Sequence, residues 1–427
     1  MGVVCVLALM ASACAPAGPP EKVEKKIKLG IALDLTGAIA TSGAPISWGA
    51  FDYLTYVNDE LGGIEYTTPE GGKAKVKLDM IWGDNAYSIP KTISLYKRFV
   101  AAGVDAIPNF GSTPGEAIAA MASRDKMFVW GFYASSSPVN MGSKPNYYVP
   151  YFGNMAEQVG VALKWFLEEK WPKHEDYGKR TPRAGFLMAD LPSLRPAGDP
   201  KAVEAYEAMG YDWVGCEWIS PALTDATIEL TRMMKKGADI ICTYHVLGGT
   251  TIIAKDAKRI GIDKAKTIMV APDWGFDEDF PRLAGAAAEN YYGWQCTVNP
   301  DEECEGTRLA KKIAPRYGHW RPVCTYVSGV QAGAVMAETI RLALENVGGD
   351  VNKLTGKVFM DAFAKIKDFD SLGLTPPMSV NPKFRIMNPL VQISKIKDGK
   401  IVRESARWYS YEEDAPVKAI MPAVEYP

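Results

Sequence analysis

Along the chain, short apolar runs take turns with longer stretches whose apolar residues recur every three or four positions. The runs at 27–37, 75–87, 104–112 and 126–135 are continuously apolar rather than strictly alternating. That pattern marks strands buried on both faces of a parallel sheet. Between them, 45–63 carries Trp48, Phe51, Tyr53, Leu54 and Val57 at helical spacing and stops at Gly62-Gly63. The next helix, 90–103, opens on Pro90 and closes on Gly103, and a third spans 113–125. The rhythm restarts after residue 150, with helices at 157–171, 198–210, 224–237 and 250–262 and strands at 182–193, 213–219, 238–246 and 266–275. After Thr297 the text turns mostly helical (305–318, 325–348, 355–368), and 389–405 reads as a hairpin with a Lys397-Asp398-Gly399 turn. Two runs of one strand–helix rhythm predict an α/β protein of two doubly wound parallel-sheet lobes.

The first residues do not fit that rhythm. Residues 1–20 contain no charge, and Val3–Met10 is apolar, too short to span a bilayer but suited to a secretory signal. Ala11-Ser12-Ala13 then precedes Cys14, which resembles a bacterial lipobox. This start predicts a signal segment over 1–14, lipid on Cys14 and a Pro/Gly and charged tether over 15–26. The plainer alternative is an apolar tail with an incidental thiol. The first reading places the protein outside the cytoplasm, in the periplasm or at the cell surface, held to the membrane only by its lipid.

Composition narrows the function. The 427 residues hold 48 Lys+Arg against 50 Asp+Glu, with no basic cluster, which argues against a nucleic-acid partner. The histidines, His174, His245 and His319, stand far apart with no second His or Cys at ligand spacing, so no metal site is expected. No cofactor motif appears. Neither G-x-S-x-G nor H-E-x-x-H occurs, and no enzyme is expected. Of seven cysteines, Cys216 and Cys242 read as buried strand thiols, while Cys296 and Cys304 bracket a polar loop that could be closed as a small disulfide ring.

Several texts, in this order and spacing, carry a resemblance: LGIALDLTGAIATSG from Leu29, NDELGGI, IWGDNAYSIPKTISLYKRFV, NFGSTPGEAIA, YASSSP, KGADIICTYHVLGGTTIIAKDAKRIGI, APDWG and VQISKIKDGKIV. Over 27–410 the chain resembles the type I periplasmic solute-binding proteins of ABC transporters, in the branched-chain amino-acid group. The resemblance implies a two-lobed clamshell with a three-segment hinge near 149, 297 and 380. The N-lobe would comprise 27–148 and 298–379, and the C-lobe 149–297 and 380–427. It further implies a monomer that carries a small ligand, an amino acid or related carboxylate or amide, to a permease and ATPase complex. A ligand sensor on the same fold is the alternative.

Candidate site residues follow. Gly111-Ser112-Thr113-Pro114-Gly115 lies where a strand meets a helix, so Ser112 and Thr113 offer donors beside a helix N-terminus, or serve as an ordinary cap. By the resemblance, this loop and Ala134-Ser135-Ser136 hold a ligand carboxylate, and Asp273 pairs with a ligand ammonium. Asp273 is equally suited to capping the segment after it. Trp274 would stack on the ligand or plug the hinge. His245 ends a C-lobe strand at the crevice, and Ser42 lies in the first loop; Trp48 reads as core. Where the family shows Tyr-Gly, this chain has Arg195-Pro196-Ala197-Gly198.

Overall fold

A computed structural model describes residues 26–132, 146–381 and 386–414. In chain order, β1 (Ile27–Leu33) leads to α1 (Ala40–Asp59), the hairpin β2 (Ile64–Thr67) and β3 (Lys73–Val76), and β4 (Leu78–Asp84). Next come α2 (Ile89–Ala101), β5 (Ile107–Phe110), α3 (Ser112–Asp125), β6 (Val129–Phe132) and β7 (Tyr148–Pro150). These strands form one parallel sheet in the order β4-β1-β5-β6-β7, with β2 and β3 pairing separately. The second half begins with α4 (Met155–Trp165) and continues through β8 (Arg183–Ala189), α5 (Pro200–Ala208), β9 (Asp212–Ile219), α6 (Thr227–Lys235) and β10 (Ile240–Tyr244). It goes on through α7 (Leu247–Arg259), β11 (Ile268–Pro272), α8 (Asp279–Ala284) and β12 (Tyr292–Gln295). Its sheet runs β14-β13-β12-β11-β10-β8-β9, where β13 (Leu390–Lys397) and β14 (Lys400–Arg403) form the antiparallel closing hairpin and β15 (Tyr409–Ser410) pairs with β13. The hairpin turn holds Asp398 and Gly399 at φ 52° and 70°, as a two-residue turn between right-twisted strands requires.

The chain from 305 to 363 returns to the first sheet as α9 (Glu305–Tyr317), α10 (Cys324–Asn346) and α11 (Gly356–Phe363). Helix α10 lies against α1 at glycines. A Cβ on Gly49 would fall 2.1 Å from the carbonyl oxygen of Tyr326, and one on Gly329 would fall 2.2 Å from that of Ile46. Only hydrogen at both positions lets the backbones touch. Three chain passages join the lobes. Asn388 holds them together: its amide N–H bonds Tyr151 O and its side chain bonds Cys296 O, at 2.9 and 2.7 Å. The side-chain amide of Gln392 adds a bond to Thr297 O at 2.9 Å.

Several expectations need correcting. Helix α1 starts at Ala40 rather than Pro45; it runs through the proline, which lacks only one N–H in the second turn. The run 75–87 is not one strand, because the Gly71-Gly72 turn folds Lys73–Val76 back onto β2. Trp48 is half-buried rather than core and stacks on His319 at 4.0 Å. No disulfide joins Cys296 to Cys304; both are free thiols, as are Cys216, Cys242 and Cys324. Cys296 is buried near Tyr411 Oη (3.7 Å), whereas Cys304 faces its own helix and accepts from Thr307 N at 3.4 Å. Cys14 lies outside the described residues.

Candidate functional site

In an open parallel sheet, loops that follow the strands meet at the carboxyl edge, and here two such edges face each other across one cavity. From the first lobe it is walled by Ala38, Ile39 and Ser42 after β1, by Tyr87 after β4 and by Ser112 after β5. Ala189, Leu191, Ser193 and Leu194 follow β8; Pro221 follows β9; Tyr244, His245 and Val246 end β10; Trp274 follows β11; and Met155 starts α4. The enclosed volume is about 130 Å³, the scale of a single aromatic ring. Among the described residues no charged side chain lines it.

Its polar side chains are hydroxyls, the His245 ring and the Trp274 indole. Tyr87 Oη lies 3.2 Å from Ser112 Oγ and donates to Thr113 Oγ1 at 3.3 Å. Thr113 Oγ1 in turn reaches Ser193 Oγ on the opposite lobe at 3.4 Å. Tyr87 gets its position from a backbone turn in which Ala86 and Tyr87 sit at φ 52° and 53°. That left-handed pair is uncommon for residues with a Cβ.

Three helices that face the cavity, α1, α3 and α7, begin at Ile39, Gly111 and Val246 without a side-chain cap. By contrast, α4 is closed by a reciprocal capping box between Asn154 and Glu157. Uncapped helix starts carry a partial positive charge, and the N–H groups left free there suit an anion; in α1 those of Ala40 and Ser42 already donate to Gly37 O and Ile39 O.

Behind the Ser42 wall lies Asp34. Its carboxyl packs between Gly43 and Gly111, and neither oxygen has a hydrogen-bond partner. Burial, aided by the nearby Asp84, pushes it up to about 8, so it is protonated at neutral pH. His245 is buried, with Nε2 3.3 Å from Ser220 O and its ring packed on Gly249. Burial lowers its affinity for a proton, so the ring adds no cation.

Of the residues expected at the site, Ser42, Ser112, His245 and Trp274 line the cavity, and Thr113 stands one hydrogen bond behind. Trp274 packs edge-on to Tyr244 at 5.0 Å and against Phe152, in the first chain passage, at 5.5 Å. Asp273 is not among the lining residues. Its Oδ1 accepts from Trp274 N at 2.9 Å, and Oδ2 has no partner. Buried beside Cys296, it is pushed up to about 7, chiefly by desolvation. Ala134, Ser135 and Ser136 lie outside the described residues. Arg195 turns away to Asp190 and over the Trp218 ring. Tyr87, Ser193 and the apolar wall of Met155, Leu191 and Leu194 were missed by sequence reasoning. The turn text Asn85-Ala86-Tyr87 was the only signal for any of them. Among the described residues, no group of three His, Cys, Asp or Glu is placed to hold a metal, and no helix is long and apolar enough to cross a membrane.

Residues 26–400 match the family model described as periplasmic binding protein. No curated protein sequence matches the chain. Solved structures with the same fold include a branched chain amino acid ABC transporter from Thermus thermophilus with bound valine. It is 19% identical at a TM-score of 0.72, covering 91% of this chain and 98% of that one. A fatty acid ABC transporter substrate-binding protein from Thermomonospora curvata is 18% identical at a TM-score of 0.73, covering 93% and 95%. A solute-binding protein of an ABC transporter from Rhodopseudomonas palustris BisB5, in complex with 3,4-dihydroxy benzoic acid, is 20% identical at 0.69, covering 91% and 98%.

Proposed function

Since the chain belongs to the periplasmic binding protein family, we propose that its cavity takes one small, largely apolar carboxylic acid without an ammonium group, for delivery to an ABC importer. The observation that carries this reading is the pairing of uncapped helix starts with walls that, among the described residues, bear no charged side chain. The helix starts and the hydroxyls of Tyr87 and Ser112 suit a carboxylate. Among the described residues no ionised carboxylate on the lining answers an ammonium, and burying one unpaired is costly. The bound ligands of the valine and dihydroxybenzoate structures mark the two alternatives within one fold.

The working parts assigned to this function are an N-lobe of 27–148 with 298–379 and a C-lobe of 149–297 with 380–427, closing about the three passages. Ser42, Ser112, Thr113, His245 and Trp274, with Ala134, Ser135 and Ser136, are the proposed ligand contacts. Asp273 stands behind Trp274. A lipid on Cys14 tethers a monomer outside the cytoplasm, where it meets its permease and ATPase.

Calorimetry against benzoate, hydroxybenzoates, short branched acids and the matching amino acids tests the reading. The acids bind at least tenfold tighter than the amino acids of the same bulk. Valine or leucine binding tighter than every simple acid overturns it.

A further inference from the structure

At the opposite end of the second sheet, where β11 begins at Ile268 and β12 at Tyr292, lies a separate cavity of about 260 Å³. Four lysines (Lys170, Lys173, Lys264 and Lys266) line it together with His174, and among the described residues no carboxylate does. In a chain whose acids outnumber its bases, 50 to 48, that local excess is marked.

The lysines are not equally neutralised. Lys170 pairs with Glu404 and lies 5.0 Å from the Tyr292 ring centroid, and Lys266 pairs with Glu175 at 3.1 Å on the exposed rim. Lys264 is half-buried and donates only to carbonyl oxygens, those of Ala287 and Glu289. Lys173 is exposed and has no ion-pair partner among the described residues. The Nδ1 of His174 accepts from Asp176 N at 3.1 Å, leaving Nε2 to face Asp239 at 4.0 Å. Asn290, held at φ 58°, adds an amide to the rim, while Phe166 and Ile268 give apolar wall.

From this arrangement we infer that the C-lobe carries a second site, remote from the cleft, for a phosphate-bearing group. Compact ammonium donors that converge from separate segments, two of them in no direct ion pair among the described residues, fit an oxyanion of more than one charge. The cavity exceeds a bare phosphate and has apolar wall, so an organic phosphate fills it better. Burial holds Lys264 down to about 8 although the nearby Glu289 favours its charge, and an incoming anion adds to that counter-charge. A free phosphate compound and a phospholipid headgroup share this chemistry.

The test compares the protein with Lys173→Glu/Lys266→Glu, both exposed positions. A control, Lys91→Glu/Lys97→Glu on the exposed face of α2, matches the charge change. Inorganic phosphate is titrated by calorimetry in 0.1 M salt. Sedimentation with phosphatidylcholine vesicles, with and without phosphatidylglycerol, reads lipid binding, and circular dichroism checks folding. Phosphate binding weakened at least tenfold by the pocket pair, and under twofold by the control, supports the site with a free anion as its occupant. Phosphatidylglycerol-dependent sedimentation lost in the same selective way, without phosphate binding, supports it with a lipid headgroup. No binding to either probe, equal loss in both pairs, or binding untouched by the pocket pair overturns it.

Discussion

The side-chain amide of Asn388 donates to the carbonyl oxygen of Cys296 at 2.7 Å, tying the third interlobe passage to the second. The same amide reaches Gln331 Oε1 at 2.8 Å, and Tyr151 Oη, in the first passage, donates to that Gln331 oxygen as well. One buried amide therefore indexes all three strands of the hinge to α10.

Asn388→Ala should leave buried acceptors unanswered and destabilise the protein by ~1–3 kcal/mol. Urea unfolding monitored by tryptophan fluorescence measures it. An unchanged midpoint would mean that water takes over the bonds.

Asp273→Asn should leave affinity for a simple carboxylic acid within about twofold, since its carboxyl stands off the cavity wall. Tyr87→Phe with Ser112→Ala should weaken that affinity about tenfold, the worth of one or two hydroxyl hydrogen bonds. Calorimetry with the tightest acid from the screen separates the two. A large loss in Asp273→Asn would return the ammonium-pairing role to that residue.

Asp34 binds its proton more tightly folded than unfolded, with a folded value of about 8 against an ordinary value of 3.8. Between those limits the unfolded chain releases a proton that the folded one keeps. Its contribution to stability is therefore full below about pH 4 and lost as pH rises towards 8. Asp34→Asn, neutral throughout, should gain on the wild type steadily from pH 5 to pH 8. Melting temperatures across that range check the slope; a parallel pair of curves refutes it.

Gly329→Ala should cost on the order of 3 kcal/mol or prevent folding, because the added carbon meets the Ile46 carbonyl at 2.2 Å and neither backbone can yield. Gly399→Ala, where a Cβ meets nothing within 4 Å, pays only for its positive φ. Soluble yield and urea midpoint should rank the two in that order.

The two-lobed α/β architecture was legible because most buried strands are continuous apolar runs and most helices are punctuated by proline or glycine, α4 with its Asn154 cap being an exception. The β2–β3 hairpin was not, since Lys73–Val76 and Leu78–Asp84 read as one run until the turn before them is known to fold back. Ser42, Ser112, His245 and Trp274 were legible as loop residues at strand ends. Tyr87 was hidden because two left-handed residues aim it. Ser193 was hidden in a 3-10 turn spanning Pro192–Gly198, which has no periodic signature. Asp273 and Trp274 are neighbours, and text alone cannot decide which of them faces the cavity. The cysteine spacing around Cys296 and Cys304 misled for a related reason: separation in sequence says nothing of where each thiol points.

With no charged side chain among the described residues of its walls, the cavity can empty without pulling an ion pair of those walls apart. What a departing ligand would leave behind is a set of N–H and hydroxyl groups, and water entering between parting lobes would rehydrate them. Ionic strength acts strongly on separated charges and little on such dipoles. The rate of unloading should then be nearly indifferent to salt, and set by how far the membrane complex prises the lobes open.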